Sequence, residues 1–128
     1  MMSLDQMQTA MQKARVLVVD DDALIAMCAV DMLEDLGHEA VSALSGAEAL
    51  EALKRGETVD LLVTDLSMPG MGGAELARVA RDMRPGLPVL VTTGYGDART
   101  LPDESHRLAK PYTQRELGDA VQRALSHA

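Results

Sequence analysis

Asp20, Asp21, Asp22, Asp65, Thr93 and Lys110 each stand just beyond a short apolar run, and together their types suit one piece of chemistry. The three consecutive carboxylates that close VLVV (residues 16–19) repel one another. Unit charges ~4 Å apart cost roughly 1 kcal/mol in water and several times more near a protein surface. A cation must offset that repulsion. Carboxylate oxygens with no His or Cys alongside suit Mg²⁺, which takes oxygen ligands and retains some waters. A carboxylate can also attack phosphorus to give an acyl phosphate. The oxygens of such a group need partners, and a divalent cation, the Thr93 hydroxyl and the Lys110 ammonium can supply one each.

These residues converge only if the intervening chain alternates strand and helix. Val16 to Val19 is a continuous apolar run, the pattern of a strand buried on both faces. Ala23 to Leu36 places Ile25, Cys28, Ala29, Met32, Leu33 and Leu36 at helical spacing, with Gly37 as a stop and Asp22 as the N-cap. Glu39 to Leu44 reads as a weak strand. Ser45 to Glu48 is a capping-box pattern opening a helix that ends before Gly56. Leu61 to Val63 is a second buried strand running into Asp65, and SMPGMGG leads to a helix over Ala74 to Met83 that Pro85 ends. Leu87 to Thr92 and Arg107 to Ala109 complete the strands. Thr113 and Glu116 cap a last helix with the stripe Leu117, Ala120, Val121, Ala124 and Leu125. Strands joined by helices of this length require crossovers, hence a mostly parallel sheet covered on both faces, with its site beyond the carboxyl ends of the strands.

Composition narrows the function. The 128 residues suit one domain, and 47% of them are hydrophobic, yet there is no Phe or Trp and there are nine Met. The core is therefore expected to use Val, Leu, Ala, Ile and Met, with methionines as filler at helical spacing. A net charge of −8 disfavours phosphate backbones and anionic membrane surfaces as partners. No apolar run approaches the ~20 residues of a membrane span, and the N-terminus lacks the apolar centre of a signal peptide. A single cysteine, Cys28, is expected to be a small buried hydrophobe, and its solitude suits a reducing, cytoplasmic setting. His38, His106 and His127 share no ligand spacing and read as surface or structural residues.

The segments VLVVDDD (16–22), LLVTDLSMPGMGG (61–73), LPVLVTTG (87–94) and LAKPYT (108–113) occur in an order that resembles the receiver domain of two-component response regulators. The resemblance covers about Arg15 to Ala128 and leaves residues 1–14 as an N-terminal extension. It implies a doubly wound, five-stranded parallel sheet of the flavodoxin-like (βα)5 type. It implies that Asp65 is phosphorylated, that Asp20, Asp21 and Asp65 hold Mg²⁺ with the backbone carbonyl of Ser67, and that Thr93 and Lys110 contact the phosphoryl group. A cis peptide between Lys110 and Pro111 is implied too. The donor would be a phosphohistidine on a histidine kinase or a histidine phosphotransfer protein. The domain would catalyse only its own phosphorylation and dephosphorylation, and its output would pass to a further protein target with no attached effector.

The chain also departs from that pattern. Arg107 stands where receivers commonly carry an aromatic residue that reports phosphorylation, and Gly72 stands where they often carry Asp. Only residues 95–109 separate Gly94 from Lys110, and Pro102 interrupts them, so the fourth helix is expected to be short or missing. In the extension, Leu4, Met7, Met11 and Ala14 fall on one helical face, compatible with docking on the domain itself, with homodimerisation or with a frayed end. Two other functions compete. A haloacid-dehalogenase-type phosphatase would use Asp20 and Asp22, but it needs an acidic pair after the lysine strand and leaves Asp65 without a role. A degenerate receiver would bind partners without phosphorylation, against which the intact Asp20, Asp21, Asp65, Thr93 and Lys110 argue.

Overall fold

The computed structural model describes residues 13–94 and 106–126. Five strands, β1 (Arg15–Val19), β2 (Glu39–Ala43), β3 (Leu61–Asp65), β4 (Val89–Thr93) and β5 (His106–Ala109), alternate with α1 (Ala23–Asp35), α2 (Gly46–Lys54), α3 (Gly73–Met83) and α4 (Gln114–Ser126). All strand pairings are parallel, in the order β2-β1-β3-β4-β5. This is the doubly wound, flavodoxin-like arrangement expected from the sequence, and the order reverses between β1 and β3. The expected short fourth helix and most of the N-terminal extension, with Leu4, Met7 and Met11, lie outside the described residues, as does His127.

Alternate strand residues feed two core layers, because successive side chains point to opposite faces. Leu17, Val19, Leu62, Val89 and Val91 pack with Leu53 of α2 and with Leu76, Ala77 and Ala80 of α3. Val16, Val18, Leu61, Val63, Leu90 and Leu108 pack with Ala26, Ala29 and Leu33 of α1 and with Leu117, Ala120, Val121 and Ala124 of α4. Alanines dominate the helix faces that meet the sheet. Short side chains bring helix and sheet together without the aromatic bulk this chain lacks.

The helix starts behave as their sequences require. Asp22 caps α1, its Oδ1 accepting the Leu24 and Ile25 N–H groups at 3.0 and 3.2 Å. Ser45 Oγ accepts the Glu48 N–H at 3.1 Å. Thr113 and Glu116 form a reciprocal box, with Glu116 N–H on Thr113 Oγ1 at 3.1 Å and Thr113 N–H on Glu116 Oε1 at 2.9 Å. Each such cap is worth about 1 kcal/mol.

Three expectations need correction. Cys28 is exposed rather than buried. Helix α1 turns Ala26, Ala29 and Leu33 to the core and leaves Ile25 exposed. The segment ALIAMCAV is apolar almost all round, so periodicity could not decide which stripe faces the sheet, and the small alanines won the closest approach. The described methionines fill the edges of the core rather than its centre: Met27 is exposed, and Met32, Met68, Met71 and Met83 are partly buried against the two core layers. Finally, β4 starts at Val89 rather than Leu87 and includes Thr93.

Candidate phosphoryl-transfer site

Three strand ends deliver the charged residues to one place. Asp20 follows β1 directly and is buried, its N–H donating to the Ala43 carbonyl of β2 at 3.2 Å. Its Oδ1 accepts the Asp22 N–H at 2.9 Å, which fixes the carboxylate against the turn into α1. Asp65 ends β3 and is likewise buried. Lys110 follows β5, and its backbone N–H donates to the Thr93 carbonyl at 2.8 Å. The Lys110 ammonium lies 3.1 Å from both Asp20 Oδ2 and Asp65 Oδ1. The Lys110–Pro111 peptide is cis.

Asp20, Asp21 and Asp65 offer carboxylate oxygens that all lie within 4.8 Å of one another, and Asp21 is exposed. One ammonium faces three carboxylates, which leaves the cluster short of positive charge. An all-oxygen donor set of that charge fits a hard divalent cation. Ser67 is exposed two residues beyond Asp65, and its backbone hydrogen-bonds the Asp65 carboxylate. Thr93 is buried as the last residue of β4, beside β3, where Asp65 pairs with Thr92. Of the residues singled out in the sequence, Asp20, Asp21, Asp65 and Lys110 thus meet directly, and Thr93 and Ser67 border them.

Electrostatics follow from this packing. Burial raises the Asp65 carboxyl above its ordinary range; the Lys110 hydrogen bond and charge oppose the rise, and Asp20 adds to it. Burial works to lower the Lys110 pKa, but its hydrogen bonds to Asp20 and Asp65 outweigh this and hold it above the usual lysine value. Asp65 is therefore a desolvated carboxylate held by a firmly charged ammonium.

Asp22 is occupied elsewhere, since its carboxylate caps α1. A phosphatase reading that needs Asp22 as acid or base beside Asp20 loses its second group. Sequence reasoning missed Gly73. A β-carbon there would press into the Asp65 carbonyl and the Leu66 backbone, and the Gly73 N–H donates to the Leu66 carbonyl at 2.8 Å. The doubled glycine in PGMGG was its only signal.

Comparison with known proteins agrees with the geometry. Residues 16–122 match the family described as response regulator receiver domain. The chain is similar to the response regulator receiver protein CpdR of Brucella abortus (strain 2308), 34% identical over 87% of this chain and 96% of that protein. It is 35% identical, over 88% of its length, to a stretch of the sensor kinase CckA from the same organism, of which it spans only 12%. Several longer transcriptional regulators are matched over about a quarter of their length. A crystal structure of a response regulator receiver protein from Sinorhizobium medicae WSM419 superposes with a TM-score of 0.79 at 32% identity, over 90% of this chain and 96% of that one.

Proposed function

The chain belongs to the response regulator receiver domain family, and from that premise we propose that it accepts a phosphoryl group on Asp65 from a phosphohistidine on a histidine kinase or histidine phosphotransfer protein, with Mg²⁺ as cofactor. The observation that carries this reading is the meeting of Asp20, Asp21, Asp65 and Lys110 at the carboxyl ends of β1, β3 and β5. In the step itself an Asp65 oxygen attacks phosphorus, the N–P bond of the donor breaks, and its electron pair returns to the imidazole. The product is an aspartyl phosphate, an acyl phosphate.

Each neighbouring residue has a task. Lys110 holds one Asp65 oxygen and then faces the incoming phosphoryl charge. Thr93 offers its hydroxyl at the end of β4. Asp20, Asp21, Asp65 and the Ser67 carbonyl would hold the ion, which when bound neutralises carboxylate and phosphoryl charge together. The domain turns over no separate substrate; it promotes only its own phosphorylation and the hydrolysis that ends it.

Output passes to protein partners in the cytoplasm. A net charge of −8 supports this over contact with nucleic acid or membrane. No helix among the described residues is long and apolar enough to cross a membrane. Exposed Arg107 on β5 replaces the expected aromatic reporter, so the signal takes another route off the sheet.

The test is intact mass after incubation with Mg²⁺ and a small acyl-phosphate or phosphohistidine donor. A single adduct on wild type, absent from Asp65→Asn and released by hydroxylamine, is the expected result. An adduct that survives Asp65→Asn would move the site elsewhere.

A further inference from the structure

Helix α2 opens on a notch. Its first residue, Gly46, is buried, and a β-carbon there would stand 2.9 Å from Met71 Sδ, 3.0 Å from Met71 Cβ and 3.1 Å from Met71 Cγ. Gly46 is not among the glycines with positive φ, so backbone conformation does not call for glycine at this position. Alanine is the better helix former, and what glycine supplies in its place is room for Met71. The start of α2 around the notch is itself fixed: Ser45 Oγ accepts the Glu48 N–H at 3.1 Å, and Glu48 Oε2 accepts the Leu44 N–H at 3.4 Å.

The loop between β3 and α3 carries Met71 into this notch. Its base is cinched, with the Leu66 N–H on the Thr92 carbonyl at 3.0 Å and the Gly73 N–H on the Leu66 carbonyl at 2.8 Å. Ser67 to Gly72 lie beyond the cinch. Ser67, Pro69 and Gly70 are exposed, and Gly70 turns the chain at φ +76° with open space around it. Met68 and Met71 rest partly buried on the core layer of Leu66 and Leu76, and Met71 in addition fills the space over Gly46. In the same segment the Ser67 N–H holds the Asp65 carboxylate. An exposed turn thus separates the residue that touches Asp65 from the side chain that grips α2.

We propose that Met71, seated over Gly46, is a positioning residue for the phosphoryl-transfer site: it holds the outer half of the loop against α2 and so fixes the backbone of Ser67 beside Asp65. The consequence for Mg²⁺, through the Ser67 carbonyl, rests on the phosphoryl-transfer reading; the hold on Ser67 does not. Met71 Cβ is bonded directly to the loop backbone, so a methyl group in the notch is not relieved by swinging the end of the side chain. Gly46→Ala pushes the loop away, and Met71→Ala lets it go.

The test compares Met71→Ala, Gly46→Ala, the double variant and Val121→Ala with wild type, each as the full chain. Val121 is fully buried in the opposite core layer, so its truncation destabilises without touching the loop. Urea unfolding, hydrogen exchange of the Ser67 amide in metal-free protein, and calorimetric titration with Mg²⁺ are the readouts. Each single variant should speed Ser67 exchange roughly tenfold beyond the effect of Val121→Ala. Each should also weaken Mg²⁺ binding roughly tenfold, the loss expected when a partner that orients a ligand is removed. In the double variant the stability losses should be less than additive, because the crowding needs both side chains, while exchange and affinity stay where Met71→Ala leaves them. Ser67 exchange or Mg²⁺ affinity in Met71→Ala equal to that in Val121→Ala would reduce Met71 to ordinary packing and overturn the proposal, as would additive losses. If Gly46→Ala does not fold, Met71→Ala against Val121→Ala decides alone. A wild-type chain that binds no Mg²⁺ would sink the phosphoryl-transfer reading, and Ser67 exchange would still decide for or against Met71.

Discussion

The Lys110 ammonium lies 3.1 Å from Asp65 Oδ1, joining the end of β5 to the end of β3. The same nitrogen reaches Asp20 Oδ2 at 3.1 Å, so one cation ties together two buried carboxylates from different strands. Its removal is the most informative single change at the site.

Lys110→Met leaves two buried carboxylates without their ammonium. Without divalent cation at neutral pH, this should lower unfolding free energy by about 1–3 kcal/mol, below the range for a fully buried pair because Lys110 is partly exposed. Urea denaturation reads the change. Adduct formation on Asp65 should slow by roughly 10²-fold, since a preorganised charge is lost. An unchanged phosphorylation rate would remove Lys110 from the chemistry.

Asp65→Asn should make the metal-free protein more stable at neutral pH, by up to about 1 kcal/mol. The folded-state pKa of Asp65 is raised, chiefly by burial. Its favourable contribution is thus complete below the ordinary aspartate range and is lost as pH rises through the raised folded value. Asparagine removes that loss. Melting temperatures of the two proteins across the acidic to neutral range should converge at low pH and separate above it.

Mg²⁺ should raise the melting temperature with the logarithm of its concentration above Kd, with a stabilisation of about 2.7 kcal/mol at a hundredfold excess over Kd. Asp20→Asn or Asp21→Asn should suppress the shift, because each removes a carboxylate from the trio within 4.8 Å. A shift of full size in both variants would place the ion elsewhere.

His38 should give the fold a second pH dependence. Its Nδ1 accepts the Ala14 N–H, which an imidazolium cannot do, and burial lowers its pKa. Glu34, Arg15, Glu39 and Glu57 line the cavity on one side of it, and Arg115 and Asp119 of α4 line the other. A lowered folded pKa gives stability that is present above the ordinary value of about 6.5 and is lost as pH falls toward the folded value. Unfolding free energies at a series of pH values should show that slope in wild type and lose it in His38→Gln.

Gly73→Ala should destabilise by about 1–3 kcal/mol, since the new carbon meets backbone of Asp65 and Leu66 rather than a movable side chain. Gly56→Ala is a useful contrast. That glycine has φ +81° and open space around it, so its cost is conformational only. If Gly73→Ala matched wild type in stability and in Asp65 phosphorylation, the close packing of α3 on β3 would have no role.

The alternation of strand and helix, the helix caps and the residues that gather at the site are legible in the order of amino acids alone. These are written in local signals: apolar runs such as VLVV and LLV, the cap pairs Ser45–Glu48 and Thr113–Glu116, and polar residues placed where strands end. Once a parallel doubly wound sheet forms, geometry carries Asp20, Asp65 and Lys110 to one edge. Packing in three dimensions settles the rest: which side of α1 is buried, that Cys28 is exposed, that His38 closes onto Ala14, and that Gly73 must lack a side chain. Helix α1 is apolar on nearly every face, so its orientation depends on which side chains pack most closely on the sheet. His38 and Gly73 take their roles from backbone many residues or a whole loop away, and local patterning holds no record of those contacts.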